Sequence, residues 1–172
     1  MALQVNKLTN GNIYIDGQNF FGTIEEFQLP DVKAVFAEHK ALGMVGKIEL
    51  PSGIDKVEAR LRFNAPYVEA MKMKANPFVV RQMQFRGNLQ TYQGQQLVAE
   101  TPYKVTIAAS FKNMPAGNMK QHDNVEMETM LNVTYIKVDI GTENIMEFDA
   151  LNNIYIVDGV DLLQQYRSNL GL

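Results

Sequence analysis

Val105-Thr106-Ile107-Ala108-Ala109-Ser110-Phe111-Lys112 and, beyond a connection rich in Gly, Asn and Pro, Val125-Glu126-Met127-Glu128-Thr129-Met130-Leu131-Asn132-Val133-Thr134 alternate apolar and polar residues with a period of two. Side chains along a strand point to its two faces in turn, so Val105, Ile107, Ala109 and Phe111 share one face and Thr106, Ala108, Ser110 and Lys112 the other. In the second segment Val125, Met127, Thr129, Leu131 and Val133 oppose Glu126, Glu128, Met130, Asn132 and Thr134. The pattern predicts two long strands, residues 97–112 and 124–139, paired around the connection 113–123, with one face in a core and the other wet. A mainly β fold is implied, and the 50 Val, Ile, Thr, Phe and Tyr residues among 172 agree with it.

Upstream, residues 12–20 read as a hairpin about an Asp16-Gly17 turn, the second strand running on through Phe21-Gly22 to Phe27. Leu29-Pro30 punctuates the chain, because proline cannot donate to a central ladder. Residues 32–41 read as a strand rather than a poor helix, because the Gly43-Met44-Val45-Gly46 that follows reads as a turn or bulge. Lys47-Ile48-Glu49-Leu50 and residues 57–63 read as half-buried strands around a Pro51-Ser52-Gly53 turn. A helix begins near Asn64 or Ala65, with Pro66 in its first turn, and stops at Asn76-Pro77. Strand alternation returns over residues 79–92 before a Gln93-Gly94-Gln95 turn. Downstream, residues 145–148 and 154–157 form a short strand pair, and Asp158-Gly159 leads to a terminal helix over 162–168 capped by Asp161. With no repeats or linkers, the expectation is one domain over residues 1–172: a β-barrel or sandwich with one flanking helix and a short C-terminal helix.

The composition excludes several chemistries. There is no Cys, which removes disulfides, thiolate metal sites and thiol catalysis, and the two His, His39 and His122, lack motif context. Neither common glycine-rich phosphate loop is present. Glu25 and Glu26 are expected on opposite faces of a strand, and Glu126 and Glu128 on one wet face, where exposure gives no reason for the separated pKa values of an acid–base pair. Asn132-Val133-Thr134 matches a glycosylation pattern without a visible secretory signal, and the ten Met read as core filler. No apolar run is long enough to cross a bilayer as a helix. Neither a cofactor nor an enzymatic activity is expected. The net charge of -3 hides a segregation: residues 40–112 carry eleven Lys/Arg against five Asp/Glu, while 123–149 carry one base, Lys137, against seven acids. Either solvated faces differ by chance, or two opposite patches meet head to tail between subunits.

The two ends of the chain carry a resemblance. Asp16-Gly17 within its strand, Phe21-Gly22, Leu29-Pro30 and Gly43-Met44, followed at the far end by Gly159, Asp161, Arg167 and Leu170-Gly171-Leu172, resemble the major tail tube proteins of contractile-tailed phages (myoviruses), R-type pyocin tube subunits included. Asp31 and Leu42 depart from that pattern. The resemblance implies a virion tail protein, assembled in the host cytoplasm, whose hexameric rings stack into a hollow tube inside a sheath. Baseplate initiator, tape measure and tail terminator proteins would be its further partners, and DNA would pass the lumen unbound. On that reading Thr106, Ser110, Glu126, Glu128, Asn132 and Thr134 are expected to line an acidic, hydroxyl- and amide-rich lumen. The alternatives are an R-type bacteriocin or type VI secretion tube subunit and, from another class, a monomeric ligand-binding β-barrel.

Overall fold

The computed structural model describes residues 3–123 and 125–172, so Met1, Ala2 and the expected start of the second long strand at Asn124 lie outside the described residues. The elements in chain order are β1 (Gln4–Ile15), β2 (Gln18–Asn19), β3 (Ile24–Gln28), β4 (Ala34–His39), β5 (Ile48–Ile54), β6 (Val57–Phe63), α1 (Val68–Lys74), β7 (Arg81–Gln93), β8 (Gln96–Phe111), β9 (Met127–Ile140), β10 (Glu143–Asp149), β11 (Ile154–Val157), β12 (Val160–Asp161) and α2 (Gln164–Leu170). Ten strands form one antiparallel sheet whose main path runs β12-β11-β10-β9-β8-β7-β1-β2, and β4 and β5 form a separate two-stranded sheet.

β9 organises the molecule by changing partner along its length. Residues 127–133 pair with β6, residues 135–140 with β10, and both halves pair with β8. The change falls at Thr134: Val133 lies opposite Ala109 and Tyr135 opposite Ala108, which leaves Thr134 as the extra residue of a β-bulge. The sheet branches there and wraps one core, in which Leu61, Phe63, Ile107, Phe111, Met127 and Leu131 are fully buried. The result is sandwich-like and open; among the described residues the single chain does not close into a barrel, because β1, β3 and β12 keep free edges.

The alternation read from β8 and β9 places Val105, Ile107, Ala109, Phe111, Met127, Thr129, Leu131 and Val133 in the interior. Thr129 is the costly member of that set, since its Oγ1 is buried without a hydrogen-bond partner among the described residues. Thr129→Val keeps the shape and removes the stranded hydroxyl, so a gain of about 1 kcal/mol is expected in denaturant unfolding. The methionines divide: Met83 and Met127 are core, while Met114 and Met119 are exposed.

Several boundaries differ from the sequence expectation for local reasons. Asp16 and Gly17, at φ 49° and 80°, make the expected two-residue turn, and the Asp16 carboxylate accepts from the Gln82 amide at 3.0 Å and from Arg81 Nη1 at 2.8 Å. The second hairpin strand, however, ends at Asn19. The chain turns at Gly22 (φ 75°), and β3 pairs with β6 instead. Pro51-Ser52-Gly53 is not a turn but part of β5, a strand of a two-stranded sheet that has room for a proline. The first helix starts at Val68 because Asn64 is held elsewhere, donating to Gly22 O and accepting from the Tyr67 hydroxyl. Asp161 belongs to β12 and caps only the approach to α2, accepting from the Leu163 amide at 3.0 Å; the helix itself covers residues 164–170.

Gly11 faces Gly87 across β1 and β7, and the Phe85 ring lies over the gap: a Cβ at Gly11 would stand 2.3 Å from two ring carbons and 2.9 Å from Arg86 O. Gly11→Ala is therefore expected to destabilise by about 2 kcal/mol in chemical unfolding. Gly46→Ala, where a Cβ would meet nothing within 4 Å, is the control and is expected to be near neutral.

Candidate assembly surfaces

The wet face predicted from β8 and β9 exists, with a changed membership. Ser110 pairs with Asn132 and Asn132 with Glu58, while Glu128 pairs with Arg62, so these side chains share the outer surface of the sheet with Thr106. Glu126 precedes β9, bridges to Asn118, and borders one shallow depression together with Glu128 and Arg62. Thr134 occupies the bulge, and its hydroxyl donates to Ala108 O at 3.4 Å. Past the bulge the parity inverts. Ile136 is buried, and Lys137 and Asp139 join the outer surface opposite Thr106 and Lys104. The sequence carries the signal for this, since the apolar positions shift from Leu131 and Val133 to Ile136 and Val138.

This surface is not an acidic wall. Arg60 lies 3.4 Å from Glu128, Lys104 3.3 Å from Asp139, and Lys137 3.7 Å from Glu147. The basic 40–112 and acidic 123–149 blocks are thus not two separate patches: antiparallel pairing sets β9 between β6 and β8, and bases and acids distant in sequence neutralise each other in one chain. Hydrogen bonds from Lys112 and then Lys56 hold the Glu58 carboxyl below the usual carboxylate range. Burial, followed by donation to the Glu147 carboxylate, pushes the Tyr135 hydroxyl up to about 12. Glu25 and Glu26 do not diverge as expected. A bulge sets both against Arg62, at 3.5 and 2.6 Å. Among the described residues Arg86 has no carboxylate partner; its guanidinium lies over the Tyr14 ring at 5.2 Å, and its Nε donates to Gln84 Oε1.

The second surface is the β4–β5 ribbon. His39 pairs with Ile48 and Ala37 with Leu50, so Val35, Ala37, Ile48 and Leu50 lie on one face, while the Glu38–Glu49 and Phe36–Pro51 pairs lie on the other. Lys47 closes an ion pair with Glu38 at 2.9 Å. The alternation of Lys47-Ile48-Glu49-Leu50 promised a half-buried strand, yet all of β4 and all but the last residue of β5 are exposed. Gly43 (φ 89°) turns the connection, with Met44 beside it and Val45 fully exposed. Leu29 packs against the core, and Pro30 comes directly after it where the chain leaves for the ribbon.

The third is the C-terminus. Arg167 donates to Asn153 O at 2.8 Å and ion-pairs with Asp161, which holds the Asp161 carboxyl below its usual range. Gly159 (φ 75°) completes the tight turn before Asp161. Gly171 adopts φ 74°, and the amides of Gly171 and Leu172 close back on Ser168 O and Arg167 O, ending the helix at Leu170.

No group of three His, Cys, Asp or Glu able to hold a metal occurs among the described residues, and the depressions on the polar sheet are shallow. No helix among them is long and apolar enough to cross a membrane. The arrangement offers surfaces for a partner chain. A family profile described as "Phage tail tube protein FII" matches residues 5–171. The "Tail tube protein" of Escherichia phage P2 is 25% identical over 170 residues, covering 96% of this chain and 97% of its own. The "Major tail tube protein" of Serratia phage KSP20 is 25% identical over 158 residues, covering 91% and 90%.

Proposed function

Because this chain belongs to the phage tail tube protein family and is a structural subunit of a tail tube, we propose that its copies form hexameric rings stacked head to tail into a hollow conduit within a contractile sheath. The observation that carries this reading is the amphipathic ribbon with nothing beneath its apolar face among the described residues. A row of apolar residues on alternate positions stabilises a strand only when it is covered, and here a neighbouring copy supplies the cover. The free edges of β1, β3 and β12 fit the same reading, since edge strands left open in a monomer are paired or shielded in an assembly. Heterologous contacts between unlike surfaces generate rings and open filaments.

The polar outer surface of β6–β9–β8–β7 faces the lumen, with Thr106, Ser110, Glu126, Glu128 and Asn132 upon it. Its cations are mostly engaged by carboxylates of the same chain, so a passing polyanion such as DNA displaces no counterions by binding and gains little by staying. Catalysis is no part of this role. Sheath, baseplate, tape measure and tail terminator proteins complete the tail, assembled in the host cytoplasm. The test uses the cysteine-free background: Ser110→Cys and Asn132→Cys tubes, sealed at both ends, are expected to react with a bulky maleimide at least tenfold more slowly than the dissociated subunits. Equal rates would place this surface outside.

A further inference from the structure

We propose that the apolar stripe of α2 in one copy is the seat of the β4–β5 ribbon of another, an inference that rests on the tail tube reading. An amphipathic helix at a protein surface normally turns its apolar stripe inward. α2 is mounted the other way round. It has no buried residue, its Arg167 reaches inward to Asn153 O and Asp161, and its two apolar residues, Tyr166 and Leu170, are 52% and 56% exposed, as are Val160 and Leu162 on the approach to it, at 61% and 56%. A polar anchor thus holds the helix to its own fold while the greasy side is presented outward, where a partner would remove it from water.

The ribbon has the complementary deficit. Val35, Ala37, Ile48 and Leu50 form a bare apolar face, and among the described residues His39 is the one ionisable group on it. The charges of the ribbon lie on its other face, with Glu38 and Lys47 already paired. The stripe is likewise flanked by uncharged Gln164, Gln165, Ser168 and Asn169, and the one charge in α2 is engaged by Asp161. Seating one on the other therefore buries no unpaired charge, whereas a strongly charged partner would find nothing on either surface to pair with. The sizes are comparable: the face from Val35 to His39 runs about 13 Å, and the seven-residue helix about 10 Å. Every copy brings one ribbon and one stripe, so a homopolymer uses both in equal number, and because the two surfaces differ the contact runs head to tail.

With no native Cys, Leu50→Cys combined with Tyr166→Cys can be oxidised in assembled tubes. The expected result is a ladder of covalent multimers on a non-reducing gel, at least tenfold above either single variant and absent from unassembled protein. Tyr166→Glu alone is expected to block tube formation with an unchanged melting temperature. Tubes of Tyr166→Glu at wild-type yield, or assembled Tyr166→Cys that a maleimide labels as fast as the free subunit, would overturn the proposal while leaving the tail tube reading intact. A wild-type chain that forms no tubes under any nucleating condition would remove both.

Discussion

Val35→Lys with Leu50→Lys is expected to reduce tube formation at least a hundredfold while leaving the subunit as stable as before. Both side chains stand on the bare face of the β4–β5 ribbon, 41% and 47% exposed, so in the isolated chain a lysine at either position meets water and costs well under about 1 kcal/mol. In the assembly the same ammonium groups would be desolvated against apolar partners without a counter-ion, which costs several kcal/mol per site. A single contact weakened by about 1.4 kcal/mol falls tenfold, and a ring repeats the contact at each subunit. Analytical sedimentation together with a thermal melt reads both quantities. Normal tubes from the double variant would show that the ribbon is not buried, and a collapsed melting temperature would show that it serves the fold instead.

The second large effect concerns Lys74, in the last turn of α1. It is 2% exposed, has no ion pair among the described residues, and sets its Nζ 4.3 Å from the centroid of the Phe63 ring. Burial pushes its ammonium down to about 8 from 10.5. Between those values the unfolded chain holds a proton that the folded chain has released, so stability rises with pH through that window and the cost of burying the charge applies in full below it. Over pH 7–9.5 a rise of about 2 kcal/mol is expected, at about 1.4 kcal/mol for each pH unit above the folded value. Higher pH is less informative, because tyrosines of the unfolded chain ionise while Tyr135, pushed up to about 12, does not. Lys74→Met fills the same space without the charge, and it is expected to flatten the slope and stabilise the protein at pH 7 by about 1 kcal/mol, the Phe63 ring having offset part of the penalty. Urea unfolding of both proteins across the range measures this; parallel curves would contradict it.

The strand pattern of this fold is legible in the sequence wherever one rule holds over a long stretch. Residues 57–63 alternate without interruption, and from Val105 to Phe111 and Met127 to Val133 the interior residues are those the alternation names, with Ala108, expected on the wet face, buried beside them where the bulge of β9 crosses. Legibility fails at single-residue insertions. The bulges at Glu25 and Thr134 each invert the parity of the residues beyond them, which unites two glutamates on one arginine and moves Lys137 and Asp139 onto the polar surface. Sequence order is also a poor guide to charge, because blocks summed along the chain say nothing about which strands an antiparallel sheet sets side by side. The ribbon is the instructive case. Its alternation is that of a strand with a buried face, and its own core leaves that face bare.

The branching of β9 bears on synthesis. β3 and β6 depend on residues 127–133 for the far side of their ladder, and those residues leave the ribosome more than about sixty positions after Phe63, several seconds later at about 5–20 residues per second. Until then the ribbon hangs from an unfinished scaffold. Translation thus imposes a delay between making the ribbon and completing the sheet that carries it, so the ribbon gains a fixed orientation only once most of the chain has been made.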